Sequence, residues 1–243
     1  MLGGLAVLVA AASASATATS SDYTGTNFDF TGIQETSTFG DPEPLFGAPT
    51  GSGNQLLFFP TNFTASAGGG SFDQTGAQLQ LMVQALGPLD TIEAFSLTEA
   101  GDTSLFGSGT GATGTFIGLG GTITVLEDIG GVLPVAQIIT FDDSDVVYSP
   151  SNVFTLPSDP GTTGWTASLY VDIAAIVPNA TKIQIGFDNN LSAFSEVGTA
   201  ASIQKKAVSG PTIVLEVIPE PGTFLLVATG LIALAIPARR NRA

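Results

Sequence analysis

The sequence predicts a mainly β protein built around a single β-sandwich. Short segments of alternating polar and apolar residues recur between about residues 20 and 216, clusters of turn-forming residues separate them, and no stretch keeps a long helical period. Regular short strands of this kind are typical of sandwiches and jelly rolls. We therefore predict a signal peptide over residues 1–18, a jelly-roll-like β-sandwich ectodomain over 19–216 and a hydrophobic C-terminal segment over 217–243.

Ten segments carry the strand signal, and the alternation is clearest in residues 27–31 and 78–83. Turn clusters are predicted at residues 48–53, 68–70, 158–161 and 188–190, and a single helical turn at 172–177. The predicted strands are residues 27–31, 55–59, 78–83, 91–97, 122–126, 135–141, 167–171, 182–187, 202–206 and 212–217.

The glycine-rich stretch 107–121 is the place where two half-domains would divide. We predict one domain, because neither half contains enough clear strands to close two sheets. Within this stretch, Gly109, Gly111 and Gly114 have the spacing of a dinucleotide-binding loop. That loop requires a following helix, and the glycines after Gly114 disfavour one, so we predict a flexible loop instead.

The composition excludes several classes of site. The chain has 21 acidic and 6 basic residues, a formal net charge of −15, and neither Cys nor His. Disulfides, thiolate or imidazole zinc sites and histidine general bases are therefore absent. The negative field disfavours nucleic acid as a partner and favours cations, of which calcium is the one cofactor considered.

The first residues have the form of a secretory signal. Residues 2–12 are apolar and uncharged, and small-x-small sites follow them. This pattern predicts export and cleavage by signal peptidase at Ala16. One element differs from the usual pattern, because no Lys or Arg precedes the apolar stretch.

The C-terminal segment has the features of a short membrane span. Residues 222–238 carry no charge, and as a helix they would reach about 25 Å, enough for a thin bilayer. Three basic residues follow and would remain on the cytoplasmic side, which places the main body outside the cell. These residues are Arg239, Arg240 and Arg242.

The order of Pro219, Glu220 and Pro221, then the apolar helix 222–238, then the basic end 239–242 resembles a PEP-CTERM sorting signal. The resemblance covers residues 217–243. It implies that an exosortase reads the tripeptide, that the helix holds the chain in the membrane, and that the basic end stops translocation. It also implies a Gram-negative bacterium that makes extracellular polysaccharide. A second Pro-Glu-Pro copy at residues 42–44 lacks the helix and the basic end.

Two features of the main body suggest ligands. Asp142, Asp143 and Asp145 either form a calcium site or a solvated turn between strands, and an EF-hand is excluded because Tyr148 and Phe154 occupy its Gly and Glu positions. Trp165 either stacks on a sugar or lies in the core.

These observations predict an exported, non-catalytic protein of the cell surface or extracellular matrix. Two alternatives remain open at this point. The first is a carbohydrate-binding β-sandwich that contacts extracellular polysaccharide. The second is a glycoside hydrolase that uses two carboxylates and therefore needs no His, although the sequence does not identify the pair.

Overall fold

The computed structural model describes residues 17–206 and 211–220, and this part of the chain is all-β. All strand pairs are antiparallel, and no helix occurs among the described residues. The strands are β1 (Thr17–Thr19), β2 (Tyr23–Thr24), β3 (Phe28–Ser37), β4 (Thr50–Ser52), β5 (Gln55–Phe58), β6 (Thr64–Gly68), β7 (Phe72–Ala85), β8 (Ile92–Phe106), β9 (Gly114–Asp128), β10 (Gly131–Phe141), β11 (Val147–Ser149), β12 (Val153–Thr155), β13 (Gly161–Asp172), β14 (Ala180–Phe194), β15 (Ala200–Lys205) and β16 (Ile213–Pro219).

The strands form one curled antiparallel sheet with two arms. The first arm has the order β6-β15-β8-β13, with β16, β5 and β4 beside the other half of β8 and β11 beyond β13. The second arm has the order β3-β7-β14-β9-β10, with β1 and β2 on β3 and β12 on β9. The two arms are hydrogen-bonded to each other where Ala180 pairs with Ile92.

Alternate residues of the long strands point into one hydrophobic core. In β13 the buried positions include Trp165 and Leu169, and in β14 they include Ile185 and Phe187. Phe46, in the loop after β3, joins the two arms because its ring lies 5.4 Å from that of Phe63 and 5.6 Å from that of Phe187, both edge-on. Burial of these apolar surfaces is the main favourable contribution to folding.

The predicted mainly β class is confirmed, and all ten predicted segments contain strand. One predicted turn is wrong, because residues 188–190 lie within β14, where Asn189 pairs with Leu119. Pairing across the sheet overrides the turn preference of Asn. The predicted loop at the spaced glycines is confirmed for residues 109–113, and β9 begins at Gly114. Gly121 is required there, because a Cβ atom at this position would lie 2.3 Å from the backbone oxygen of Gly186.

The boundaries of the fold differ slightly from the prediction. Thr17 and Ala18 lie in β1, so the last two residues of the predicted signal peptide 1–18 are part of the fold. The stretch 107–121 does not separate two halves, because β9 begins within it and pairs along β14. The predicted helical turn is present, since the backbone N–H of Val177 donates to the carbonyl of Ile173. Between Thr17 and Glu220 the described residues include no helix that could cross a membrane.

Candidate functional site

The three clustered aspartates do not converge on a common point. Asp143 Oδ1 accepts hydrogen bonds from the backbone N–H of Leu119 (2.7 Å) and from the hydroxyl of Tyr148 (2.6 Å). Asp142 accepts from Ser144, which lowers the pKa of its carboxyl, and Asp145 accepts from the backbone N–H of Asp142. Among the described residues no group of three or more such side chains is arranged to hold a metal. The geometry therefore supports the turn and not the calcium site.

Trp165 lies in the core, which is one of the two positions that the sequence left open, and not at the surface where it could stack on a sugar. Its side chain is buried, with 2% exposure, and its ring covers Gly101 of β8, where an added Cβ would lie 2.4 Å from Trp165 Cζ2. The indole Nε1 has no hydrogen-bond partner. Alternation along β13 places Trp165 on the inner face, where its large apolar surface is removed from water.

Two residues of the predicted processing motif are described. Pro219 is the last residue of β16 and pairs with Ile92, and the backbone N–H of Glu220 donates to the carbonyl of Thr91 at 3.1 Å. Both are half-buried and extended. The other predicted processing and membrane positions, namely Ala16, Pro221, the helix 222–238, Arg239, Arg240 and Arg242, lie outside the described residues.

Glu35 and Glu43 hold the N-terminal strand and the loop after β3. Glu35 accepts hydrogen bonds from the backbone N–H groups of Leu45 and Phe46, and Glu43 accepts from those of Ala18 and Ser37. Burial raises the pKa of Glu35, and the two backbone hydrogen bonds oppose this shift. A cavity of about 250 Å³ lies beside Glu35. Because every oxygen of the two carboxylates already accepts a backbone hydrogen bond, they are not a free acid–base pair.

A second group of polar side chains lies entirely inside the fold. We call Glu99, Asn189 and Lys205 the buried polar centre. They belong to β8, β14 and β15 respectively, so both arms of the sheet contribute. Asn189 Nδ2 donates to Glu99 Oε1, and Lys205 Nζ donates to Glu99 Oε2. The side chains of Glu99 and Lys205 have no exposed surface.

Aromatic rings surround the lysine of the buried polar centre. Lys205 Nζ lies 5.1 Å from the ring centroid of Phe63 and 5.5 Å from that of Trp165. Burial lowers the pKa of Lys205, and the neighbouring Glu99 carboxylate opposes the shift. A buried ion pair is stable only with good geometry and satisfied partners, yet Asn189 Oδ1 has no hydrogen-bond partner.

Sequence reasoning missed this centre, although the strands carry a signal for it. Lys205 occupies the same buried phase of β15 as Ile203, and Asn189 the same phase of β14 as Phe187. A polar residue in the apolar phase of an alternating strand is a buried polar residue. The signal at Asn189 was hidden because residues 188–190 resemble a turn.

Comparisons with known proteins give no family. No family model and no curated protein matches the chain. Among solved structures, a structure of the infectious bursal disease virus Gx strain is 13% identical with a TM-score of 0.16, covering 80% of this chain and 54% of the viral chain. A loop-swap mutant of Necallimastix patriciarum Xyn11A is 8% identical with a TM-score of 0.22, covering 82% of this chain and 94% of the other. The chain thus spans about half the viral chain's length, and similarity at this level indicates neither fold nor function.

Proposed function

We propose that this protein is an exported, non-catalytic component of the cell surface or extracellular matrix. In this proposal signal peptidase removes the N-terminal segment, and an exosortase processes the PEP-CTERM-like tail. The observation that carries the proposal is the order of three features in the sequence, namely the tripeptide at residues 219–221, the uncharged stretch 222–238 and the basic residues at 239–242. Within the described residues, the tripeptide's Pro219 is the last residue of β16.

We infer that the folded body is a jelly-roll β-sandwich. Eight strands form two sets of four, β6-β15-β8-β13 and β7-β14-β9-β10, and the chain alternates between the sets in the order of a jelly roll. Contacts across the interior support two facing layers. The hydroxyls of Thr103 and Thr115, from β8 and β9, lie 2.7 Å apart and are buried, and Asn189 of β14 contacts Glu99 of β8. A closed sandwich of this kind suits a structural role outside the cell.

The arrangement of the acids supports a non-catalytic role. A glycoside hydrolase needs two carboxylates that face each other across an accessible cleft. Of the buried glutamates in the described part of the chain, Glu35 uses both oxygens for backbone hydrogen bonds, and Glu99 uses both for Asn189 and Lys205.

Intact mass spectrometry of cell-associated and released protein tests the delivery pathway. We expect the released form to lack the residues up to Ala16 and the segment after the tripeptide. Glu220→Ala is the informative variant, because the hydrogen bond from residue 220 to Thr91 uses the backbone and is retained. Pro42→Ala, in the exposed second Pro-Glu-Pro copy, is the matched control. Unchanged tail processing in Glu220→Ala would contradict recognition by an exosortase.

A polysaccharide contact is the second candidate function, and one observation favours it. Tyr170 is 57% exposed on the outer face of β13, where the neighbouring outward residues Ser96, Thr98 and Ser168 carry hydroxyls. An exposed aromatic ring beside hydroxyls is suited to stacking on a sugar. In a pull-down on the matrix polysaccharide, Tyr170→Ala should lower binding, and Phe72→Ala, which removes another exposed ring, should not. Equal binding by both variants rejects this face.

A further inference from the structure

We propose that Lys205 and Asn189 join in an intramolecular amide bond between Lys205 Nζ and Asn189 Cγ, with Glu99 transferring protons and ammonia leaving. The bond would link β14 to β15 across the interior of the fold. This inference concerns maturation of the folded body and does not rest on the proposed delivery pathway.

The fold holds the two reacting groups beside the same carboxylate. One carboxylate contacts both reacting groups, because Glu99 Oε1 accepts from Asn189 Nδ2 and Glu99 Oε2 accepts from Lys205 Nζ. Glu99 and Lys205 lie on the paired strands β8 and β15, and Asn189 faces them from β14 of the other arm, so the fold itself brings the three side chains together. Holding two reactants in this way makes a slow bimolecular reaction effectively unimolecular.

The reaction requires Lys205 to act as a neutral amine. An ammonium ion is not a nucleophile, so the lysine must first lose a proton. Lys205 is fully buried, and burial lowers the pKa of its amine because an ammonium ion is not hydrated there. Transfer of one proton from Nζ to Glu99 gives a neutral amine and a carboxylic acid that are already in hydrogen-bond contact.

The surroundings of the Asn189 carboxamide also favour the reaction. Phe63 and Trp165 enclose Lys205 Nζ, which keeps water, the competing nucleophile, away from the reacting atoms. Asn189 is fully buried, and its carbonyl oxygen Oδ1 has no hydrogen-bond partner. An ordinary structural Asn in a core would have this oxygen satisfied.

The reaction balances without any oxidant, reductant or added reagent. The Nζ lone pair forms a bond to Asn189 Cγ, and the carbonyl electrons move onto Oδ1. Nζ then loses a proton to Glu99, while Glu99 gives its acidic proton to Nδ2. The Cγ–Nδ2 bond breaks, the carbonyl re-forms and ammonia leaves. Glu99 ends as it began in the neutral pair, and the net loss is one ammonia, about 17 Da.

A second group of a carboxylate, a carboxamide and a lysine lies at the surface and can be compared with the buried polar centre. Asp102 accepts a hydrogen bond from Gln204 Nε2 at 2.8 Å, and Lys206 Nζ lies 3.5 Å from the same carboxylate. The functional groups are thus the same as in the buried polar centre, but the Lys206 side chain is 57% exposed. Water reaches this amine, and the exclusion of water that favours reaction in the buried polar centre is missing here, so we expect no bond between Lys206 and Gln204.

Digestion of the purified full-length protein, under denaturing conditions with a protease that cleaves after glutamate, tests the proposal. Cleavage at Glu127, Glu196 and Glu216 separates Asn189 and Lys205 into the peptides 128–196 and 197–216. We expect a single branched species whose mass is the sum of the two peptides less about 17 Da. Recovery of the two peptides as separate species at full mass would overturn the proposal.

Variants identify the atoms involved. Lys205→Arg and Glu99→Gln should each give separate peptides, and Lys206→Arg should retain the branched species. Asn189→Asp should give a branched species of the same mass as the wild type, because the same amide forms with loss of water instead of ammonia. A branched species in Lys205→Arg would assign the bond to another residue and reject the proposal. The wild-type digest remains decisive if a variant does not fold, and it does not depend on processing at either end of the chain.

Discussion

At the scale of single residues, the interior of this protein differs from an ordinary hydrophobic core. Glu99 and Lys205 are charged residue types with no exposed side-chain surface, and Asn189 completes the group. Removing one member of a buried ion pair commonly costs about 3–5 kcal/mol, because the other charge is left unpaired. The positions of these residues are therefore strongly constrained, whether they serve packing alone or also the amide bond proposed above.

Two substitutions of Trp165 separate the contribution of its packing to stability from the contribution of its indole N–H. Trp165→Ala should lower the free energy of unfolding by about 3–5 kcal/mol, because it leaves a cavity in the core. Trp165→Phe should lower it less, because the indole Nε1 makes no hydrogen bond that the change would remove. Urea denaturation of both variants measures the difference. Equal losses would indicate that Nε1 has a partner, for example a buried water.

At the scale of the strand, the half-buried carboxylate of Glu43 adds hydrogen bonds to the short pairing of β1 with β3. Strand β1 has three residues and pairs only with β3 in the described structure. Glu43 adds contacts to the backbone N–H groups of Ala18 and Ser37, and so ties β1, β3 and the following loop together. An isolated three-residue edge strand would otherwise fray.

Replacement of Glu43 tests this tie. Glu43→Gln leaves one amide oxygen where two carboxylate oxygens accepted hydrogen bonds, so we expect a loss of about 1–3 kcal/mol. Hydrogen exchange of the Ala18 and Ser37 amides should become faster, and Pro42→Ala, at the exposed neighbouring position, should leave it unchanged. Full protection of both amides in Glu43→Gln would show that strand pairing alone holds β1.

Close backbone approach between β9 and β14 gives a matched pair of glycine variants. Gly121→Ala places a Cβ 2.3 Å from the Gly186 backbone oxygen, and Gly186→Ala places one no closer than 3.7 Å from any neighbour. Gly121→Ala should therefore lower the free energy of unfolding by about 1–3 kcal/mol, whereas Gly186→Ala should be nearly neutral. Thermal unfolding measures both, and equal effects would contradict the described register of β9 and β14.

The sequence allowed the existence of the strands to be predicted better than their extent. Alternation identified β7 and β13, because each has one buried face. The alternation did not reveal the first half of β9. Glycines occupy several positions there, and a glycine has no side chain that could contribute to an alternating pattern. The buried polar centre was missed for a related reason, since Glu99 and Lys205 lie on strands that pair only in the folded sheet, and Asn189 meets them across the interior.

At the scale of the whole molecule, charge dominates the surface. The formal net charge is −15. For three of the carboxyl groups counted in it, the fold favours the protonated form. Burial raises the pKa of Glu35, Asp41 and Asp188, with hydrogen bonds opposing the shift in each case. A carboxyl with a raised folded-state pKa contributes stability below its unfolded pKa, and this contribution is lost as the pH rises through the folded value.

The Tm should therefore be higher near about pH 5 than near about pH 7, and relief of repulsion between carboxylates acts in the same direction. Glu196 is exposed and has a lowered pKa, caused by hydrogen bonds from Thr110, so it opposes this trend. Glu35→Gln should reduce the difference in Tm between the two pH values. A Tm that falls steadily from neutral pH to about pH 5 would contradict the assignment.

Strand β16 is paired with β8 on one edge and with β5 on the other, and the chain leaves it at Glu220. If the protein is anchored through the residues beyond Glu220, flow outside the cell applies tension along this strand. Because the force runs along the strand, it loads the hydrogen bonds to both neighbours in shear, and several of them must break together. Unzipping, in which the bonds break one at a time, would need a force across the strand. The same pairing that completes the sheet would thus make the strand next to Glu220 resistant to force applied through the tail.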